Sequence, residues 1–151
     1  MRKLSTVQAA RCLGVAESDA VTTFTHLARM LDLPGDAAGT DASHRTWTPG
    51  DVVAVAVLFA FAENGVVAQR WADGAVTVGD AFDKGEKPSY LITRGDGEFA
   101  VVLDEVGPTD RHERTVARII DDVASNALAL RVVCLRPILS RVTEWIDTHA
   151  A

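Results

Sequence analysis

The chain has 151 residues, of which 48% are hydrophobic and 24% charged, and carries a formal net charge of −6 at pH 7. That balance suits a folded chain long enough for one compact domain or two small ones sharing a core, and it argues against disorder. The longest apolar run, Val52 to Ala62, is too short to span a bilayer, and Met1-Arg2-Lys3-Leu4 leads into polar residues without a signal-peptide core, so a cytoplasmic protein with no membrane partner is expected.

Ser5 and Gln8 have the spacing of a capping box and open a short helix in which Ala9, Ala10 and Leu13 face a core. Gly14 closes it, and a second helix follows within a few residues, from about Glu17 to Leu31, which makes a helix–turn–helix. Ala20, Phe24, Leu27 and Leu31 recur at spacings of three and four, so they form the buried stripe. Ser18, Thr22, Thr25, His26 and Arg29 occupy the other side. Leu33-Pro34-Gly35 stops the helix, and 36–43 reads as a small polar loop of the kind that forms a wing. Thr48, Pro49 and Asp51 then supply an N-cap, a first-turn proline and an acidic third position for a helix from Gly50 to Asn64. That helix is apolar on nearly every side and must be covered almost all round. Gly65 closes it, and a short helix over 66–72 holds Trp71.

From Asp73 the periodicity changes. Ala75 to Val78 reads as a short strand, Ala81 to Pro88 as a charged loop, and the runs 90–93 and 99–103, separated by Arg94-Gly95-Asp96-Gly97-Glu98, as a hairpin. A helix follows from Thr109 or Asp110 to about Ser125, then a strand over 131–135 and a last helix from Pro137 with Ile138, Leu139, Val142, Trp145 and Ile146 on one face. The second half is thus a small unit of hairpin, helix, strand and helix.

Charge is unevenly spread along the chain. Residues 73–108 hold eight carboxylates against three cations, whereas 1–72 hold seven against six, so a DNA-binding first segment would lean on few phosphate contacts and on dimerisation. Base readout requires a helix presenting polar side chains, here Ser18, Thr22, Thr25, His26 and Arg29. Cations that hold phosphates would be Arg2, Lys3, Arg11, His44 and Arg45. Glu17 and Asp19 oppose phosphate, yet both are favourable first-turn charges. No phosphate-binding glycine loop or nucleophile elbow occurs, the four histidines lack metal-ligand spacing, and Asp110, His112 and Glu113 read as a helix start. No catalytic residue, metal site or cofactor is therefore expected. Cys12 and Cys134 stand alone in apolar settings, which predicts buried free thiols. Trp47, Trp71 and Trp145 read as packing residues rather than a ligand cage.

Four stretches carry a resemblance: Thr6-Val7-Gln8-Ala9-Ala10-Arg11-Cys12-Leu13-Gly14-Val15, Leu31-Asp32-Leu33-Pro34, Arg45-Thr46-Trp47-Thr48-Pro49-Gly50-Asp51-Val52 and Phe61-Ala62-Glu63-Asn64-Gly65. Together they resemble the MerR-like winged helix–turn–helix family over residues 4–72, in the layout of short regulators of actinobacterial or phage type. The chain departs from the family at Val21, Thr22 and Thr23, where members carry an Arg and an aromatic residue, and in lacking the long coiled-coil dimerisation helix. The expected architecture is α+β: a winged helix–turn–helix of MerR-like type over 1–72, followed by an α+β dimerisation or modulator-binding domain over 73–151. The expected function is a transcriptional regulator, not an enzyme, that contacts double-stranded DNA with its second helix and wing and forms a homodimer through its C-terminal half. The alternative is a protein–protein interaction module, an antirepressor or assembly factor, on the same scaffold.

Overall fold

The computed structural model describes residues 2–33, 35–37, 45–63, 71–94, 98–103, 118, 121 and 130–149. In chain order the elements are β1 (Leu4–Ser5), α1 (Thr6–Arg11), α2 (Glu17–Met30), β2 (Asp36–Ala37), β3 (Arg45–Trp47), α3 (Pro49–Glu63), α4 (Ala72–Asp83), β4 (Pro88–Arg94), β5 (Phe99–Leu103), β6 (Leu130–Cys134) and α5 (Arg136–His149). Helices and two small sheets are mixed, as an α+β chain requires.

The capping box at α1 forms as its spacing implies: Gln8 N donates to Ser5 Oγ at 3.3 Å and Ser5 N donates to Gln8 Oε1 at 2.9 Å. Gly14, at φ +71°, takes the left-handed conformation that lets the chain turn into α2. Phe24, Leu27 and Ala28 are buried beneath α2, and the helix ends in a reciprocal pair of turn bonds, Asp32 N to Arg29 O and Leu33 N to Ala28 O, both 3.0 Å. The segment expected as a loop over 36–43 contributes a strand instead: Asp36 and Ala37 pair with Thr46 and Arg45 of β3. Pairing of β1 on the other edge of β3, Leu4 with Trp47, satisfies backbone groups that a loop would have left to solvent. The first sheet therefore has the order β1-β3-β2. Residues 38–44 lie outside the described residues.

Thr48 caps α3 reciprocally with Asp51, through Thr48 N to Asp51 Oδ2 at 2.9 Å and Asp51 N to Thr48 Oγ1 at 3.0 Å. A second carboxylate joins from α4. Asp83 accepts from Thr48 Oγ1 at 2.6 Å and from Gly50 N at 2.7 Å, placing negative charge at the α3 start. The start of α3 thus lies beside the end of α4, while Phe61 stacks on Trp71 near the other ends, ring centroids 5.9 Å apart, so the two helices run antiparallel. Their axes approach closely because Gly50 and Gly79 meet without side chains; a Cβ on either would collide with the other's carbonyl oxygen.

Helix α4 corrects two expectations, a strand over Ala75 to Val78 and a charged loop over Ala81 to Pro88. Residues 72–83 are helical, burying Gly74, Ala75, Val78, Gly79 and Ala81 at helical spacing. The β-branched run 76–78 favours a strand locally, but two glycines fitting against α3 and against Leu91 and Phe99 of the second sheet decide the matter. The expected hairpin is present as β4 and β5, and β6 pairs with β4 rather than extending beyond β5, giving the order β5-β4-β6. As the central strand, β4 is buried on both faces: Leu91, Ile92 and Thr93 are all fully buried. Arg118 and Asp121, the described residues of the helix expected near 109–125, have helical backbone and exposed side chains. The helix expected over 66–72 falls almost wholly outside the described residues.

One core cluster runs from Leu4 through Phe24, Val55, Leu58 and Val78 to Leu91, Leu135 and Val142. The seven consecutive residues Val52 to Leu58 of α3 are each at most 1% exposed, so α3 runs through the middle of the core, with α2, α4 and α5 packed on it. Among the described residues no helix is long and apolar enough to cross a membrane.

Candidate nucleic-acid interface

Helix α2 is buried on one stripe only, and its open side carries the candidate residues. Ser18, Thr22, His26 and Arg29 are exposed and Thr25 is half-buried. Their spacing of three and four residues lays them along one face. Val21, 39% exposed, stands among them and belongs to the same surface.

Cations flank this face on two sides. Thr25, Arg29 and Arg45 come together with Thr6, Ala28, Leu33 and Trp47 around a crevice of about 70 Å³ between α2 and β3. Arg45 is held there by its backbone, since its carbonyl accepts from Thr6 Oγ1 at 3.4 Å. The same hydroxyl accepts from Trp47 Nε1 at 3.1 Å, and Trp47 packs edge-on to Phe24 with centroids 5.2 Å apart. Trp47 is 3% exposed and therefore anchors β3 onto α1 and α2. On the other side Arg11 lines a shallow depression of about 150 Å³ with Val7, Ala10, Ala20 and Val21. Arg2 and Lys3 are exposed and lead into β1, but they line neither depression. His44 lies outside the described residues.

Sequence reasoning overlooked the apolar members of this surface. Val7 is 50% exposed on α1 and, with Val21, gives the α1–α2 cleft an oily floor. Their signal was available: both valines fall outside the buried periodicity of their helices. The α2 start also lacks a side-chain cap, because Ala16 occupies the N-cap position.

The remaining candidates for chemistry resolve as packing or lie apart. Cys12 is buried, its Sγ donating to Gln8 O at 3.5 Å. Burial pushes its thiol up to about 12, only partly offset by the Arg141 guanidinium, so it is no nucleophile at neutral pH. Cys134, expected to be buried, is exposed, on a strand that is at the edge of its sheet among the described residues. Trp71 is buried against Phe61, and Trp145 stacks on His149 one turn later with centroids 4.7 Å apart. A groove of about 660 Å³ lies between α5 and the α4–β4 connection, lined in part by Phe82, Lys87, Arg136, Leu139 and Glu144. No tryptophan lines it. Among the described residues no group of three or more His, Cys, Asp or Glu side chains is placed to hold a metal ion.

No protein-family model matches this sequence, no curated protein is significantly similar to it, and no solved structure matches its fold. The MerR-like resemblance rests on the residues that carry it and on nothing further.

Proposed function

We propose that residues 1–72 form a winged helix–turn–helix that binds double-stranded DNA, with α2 as the reading helix and the β2–β3 hairpin as the base of the wing, and that the protein is a transcriptional regulator acting as a homodimer. One observation carries this reading. The exposed face of α2, Ser18, Val21, Thr22, Thr25, His26 and Arg29, is bordered by Arg11 on the α1 side and by Arg45 on the β3 side. Hydroxyls, an imidazole and a small apolar side chain suit base edges and thymine methyl groups, while the flanking guanidinium groups suit phosphates. A gel-shift titration against mixed-sequence duplex DNA tests it: a shift at low salt that weakens steeply as salt rises is expected.

The second reading is a protein-interaction module on the same scaffold, an antirepressor or assembly factor. It is favoured by the apolar Val7–Val21 depression and by the exposed carboxylate of Asp19 in the first turn of α2. The absence of any shift at low salt selects this reading over the first.

A further inference from the structure

The outer edge of the second sheet has a geometry that complements itself. Strand β6 pairs with β4 on one side, and among the described residues it has no strand neighbour on the other. Leu135 N donates to Ser89 O at 2.9 Å, in the same register that sets Cys134 opposite Tyr90 and Val133 opposite Leu91. Hydrogen-bonded and non-bonded pairs alternate along an antiparallel ladder, so Val133 and Arg131 turn their backbone groups to β4. Leu130, Val132 and Cys134 therefore turn their N–H and C=O groups outward. The outward strand is apolar as well: Val132 is 50% exposed and Cys134 is exposed, while Val133 is half-buried. An edge of this kind, without proline and with Arg131 as its single charge, is a template for another strand.

We propose that β6 pairs antiparallel with β6 of a second copy about a two-fold axis through Val132, joining the two sheets into one continuous sheet. This rests on the dimer reading above and names its interface; it does not depend on DNA binding. Residues opposite each other in an antiparallel pair share a face, so a two-fold axis must pass through a residue rather than between two. Through Val132 it sets Val132 against the partner's Val132, Leu130 against the partner's Cys134 and Arg131 against the partner's Val133. Every outward donor and acceptor of Leu130, Val132 and Cys134 then finds a partner, and the exposed valine meets its copy. An axis through Arg131 would oppose two guanidinium groups, and one through Val133 would set Leu130 against the partner's Arg136, beyond the strand. Like charges face to face and unpaired backbone groups both disfavour those registers.

The test is sedimentation equilibrium of the full-length protein over a concentration series, with variants at the axis. Val132→Pro removes an N–H that makes no bond to β4, so the ladder within the subunit survives while one interface hydrogen bond per subunit is lost, weakening dimerisation about thirtyfold. Val132→Asp places two carboxylates face to face and dissociates the dimer without touching the core. In a Cys134→Ser background, Val132→Cys brings two thiols to disulfide range across the axis and forms a covalent dimer under mild oxidation. Wild-type Cys134, about four residues of strand from its copy in this register, does not form one within the dimer. A wild-type dimer that neither substitution weakens and that Val132→Cys fails to cross-link overturns the β6 interface while leaving the dimer reading intact. A wild-type monomer throughout the series overturns both, and leaves DNA binding to the gel shift.

Discussion

Helices α2 and α3 are close in length, fourteen and fifteen residues, and follow one another across the β2–β3 strands, yet the sequence uses them in opposite ways. Buried all round, α3 has its N-terminus clamped by Asp83 and its flank pressed against Gly79. By contrast, α2 is buried along Ala20, Phe24, Leu27 and Ala28 and keeps Ser18, Thr22, His26 and Arg29, with Val21 among them, in solvent. The difference separates a scaffold from a surface. Substitutions in α3 or its supports should act on stability, and substitutions on the open side of α2 should act on binding alone.

The sharpest way to break that contrast is at the helix crossing. Gly79→Val or Gly50→Ala forces a side chain into the opposing backbone, and a loss of about 3 kcal/mol or more is expected in urea unfolding, enough to empty the native state of a marginal protein. Removing the clamp is the next largest effect. Asp83→Ala removes the acceptor of the Thr48 hydroxyl proton and of the Gly50 amide, and a lower urea midpoint corresponding to about 2 kcal/mol should follow. Thr6→Val probes the joint between the two regions: it leaves the buried Trp47 indole N–H without its acceptor, at a cost of about 1.5 kcal/mol. Smallest of all, Thr22→Ala and His26→Ala on the open face of α2 should shift stability by less than about 0.5 kcal/mol while weakening DNA binding. A large stability loss from either would mean that this face is structural.

How much of this was legible in the sequence depended on how local the deciding physics is. The α1 and α3 starts were readable because Ser5 with Gln8, and Thr48 with Asp51, make their bonds within three residues. The same holds for the buried stripe of α2, which periodicity alone reveals. Helix α4 was not readable, since its β-branched stretch Val76-Thr77-Val78 is overruled by contacts with Gly50, Ala54 and Leu91, distant in the chain. Asp83, which looked like part of a charged loop, acquires its role only when the end of α4 meets the start of α3. The position of β4 at the centre of its sheet left a faint mark in the unbroken run Tyr90-Leu91-Ile92-Thr93, whereas the exposure of Cys134 follows from the strand order, which no local pattern encodes. Of the candidate site, the α2 face and Arg45 were legible as types and spacings. The meeting of Thr25 and Arg29 with Arg45 at one crevice, and the exposed valines of the α1–α2 cleft, required the fold.

The central claim, that α2 and the β2–β3 hairpin together present a DNA-binding surface, is tested most directly by the salt dependence of duplex binding measured for the wild type beside Arg45→Ala. Arg45 borders the α2 face from β3 and is fixed there through its carbonyl, so its guanidinium should serve phosphate rather than sequence. The variant should bind every duplex more weakly, and the slope of log K against log salt should be shallower by about 0.9, one phosphate contact fewer. Wild-type binding that is absent at low salt, or a slope that Arg45→Ala leaves unchanged, would contradict the account.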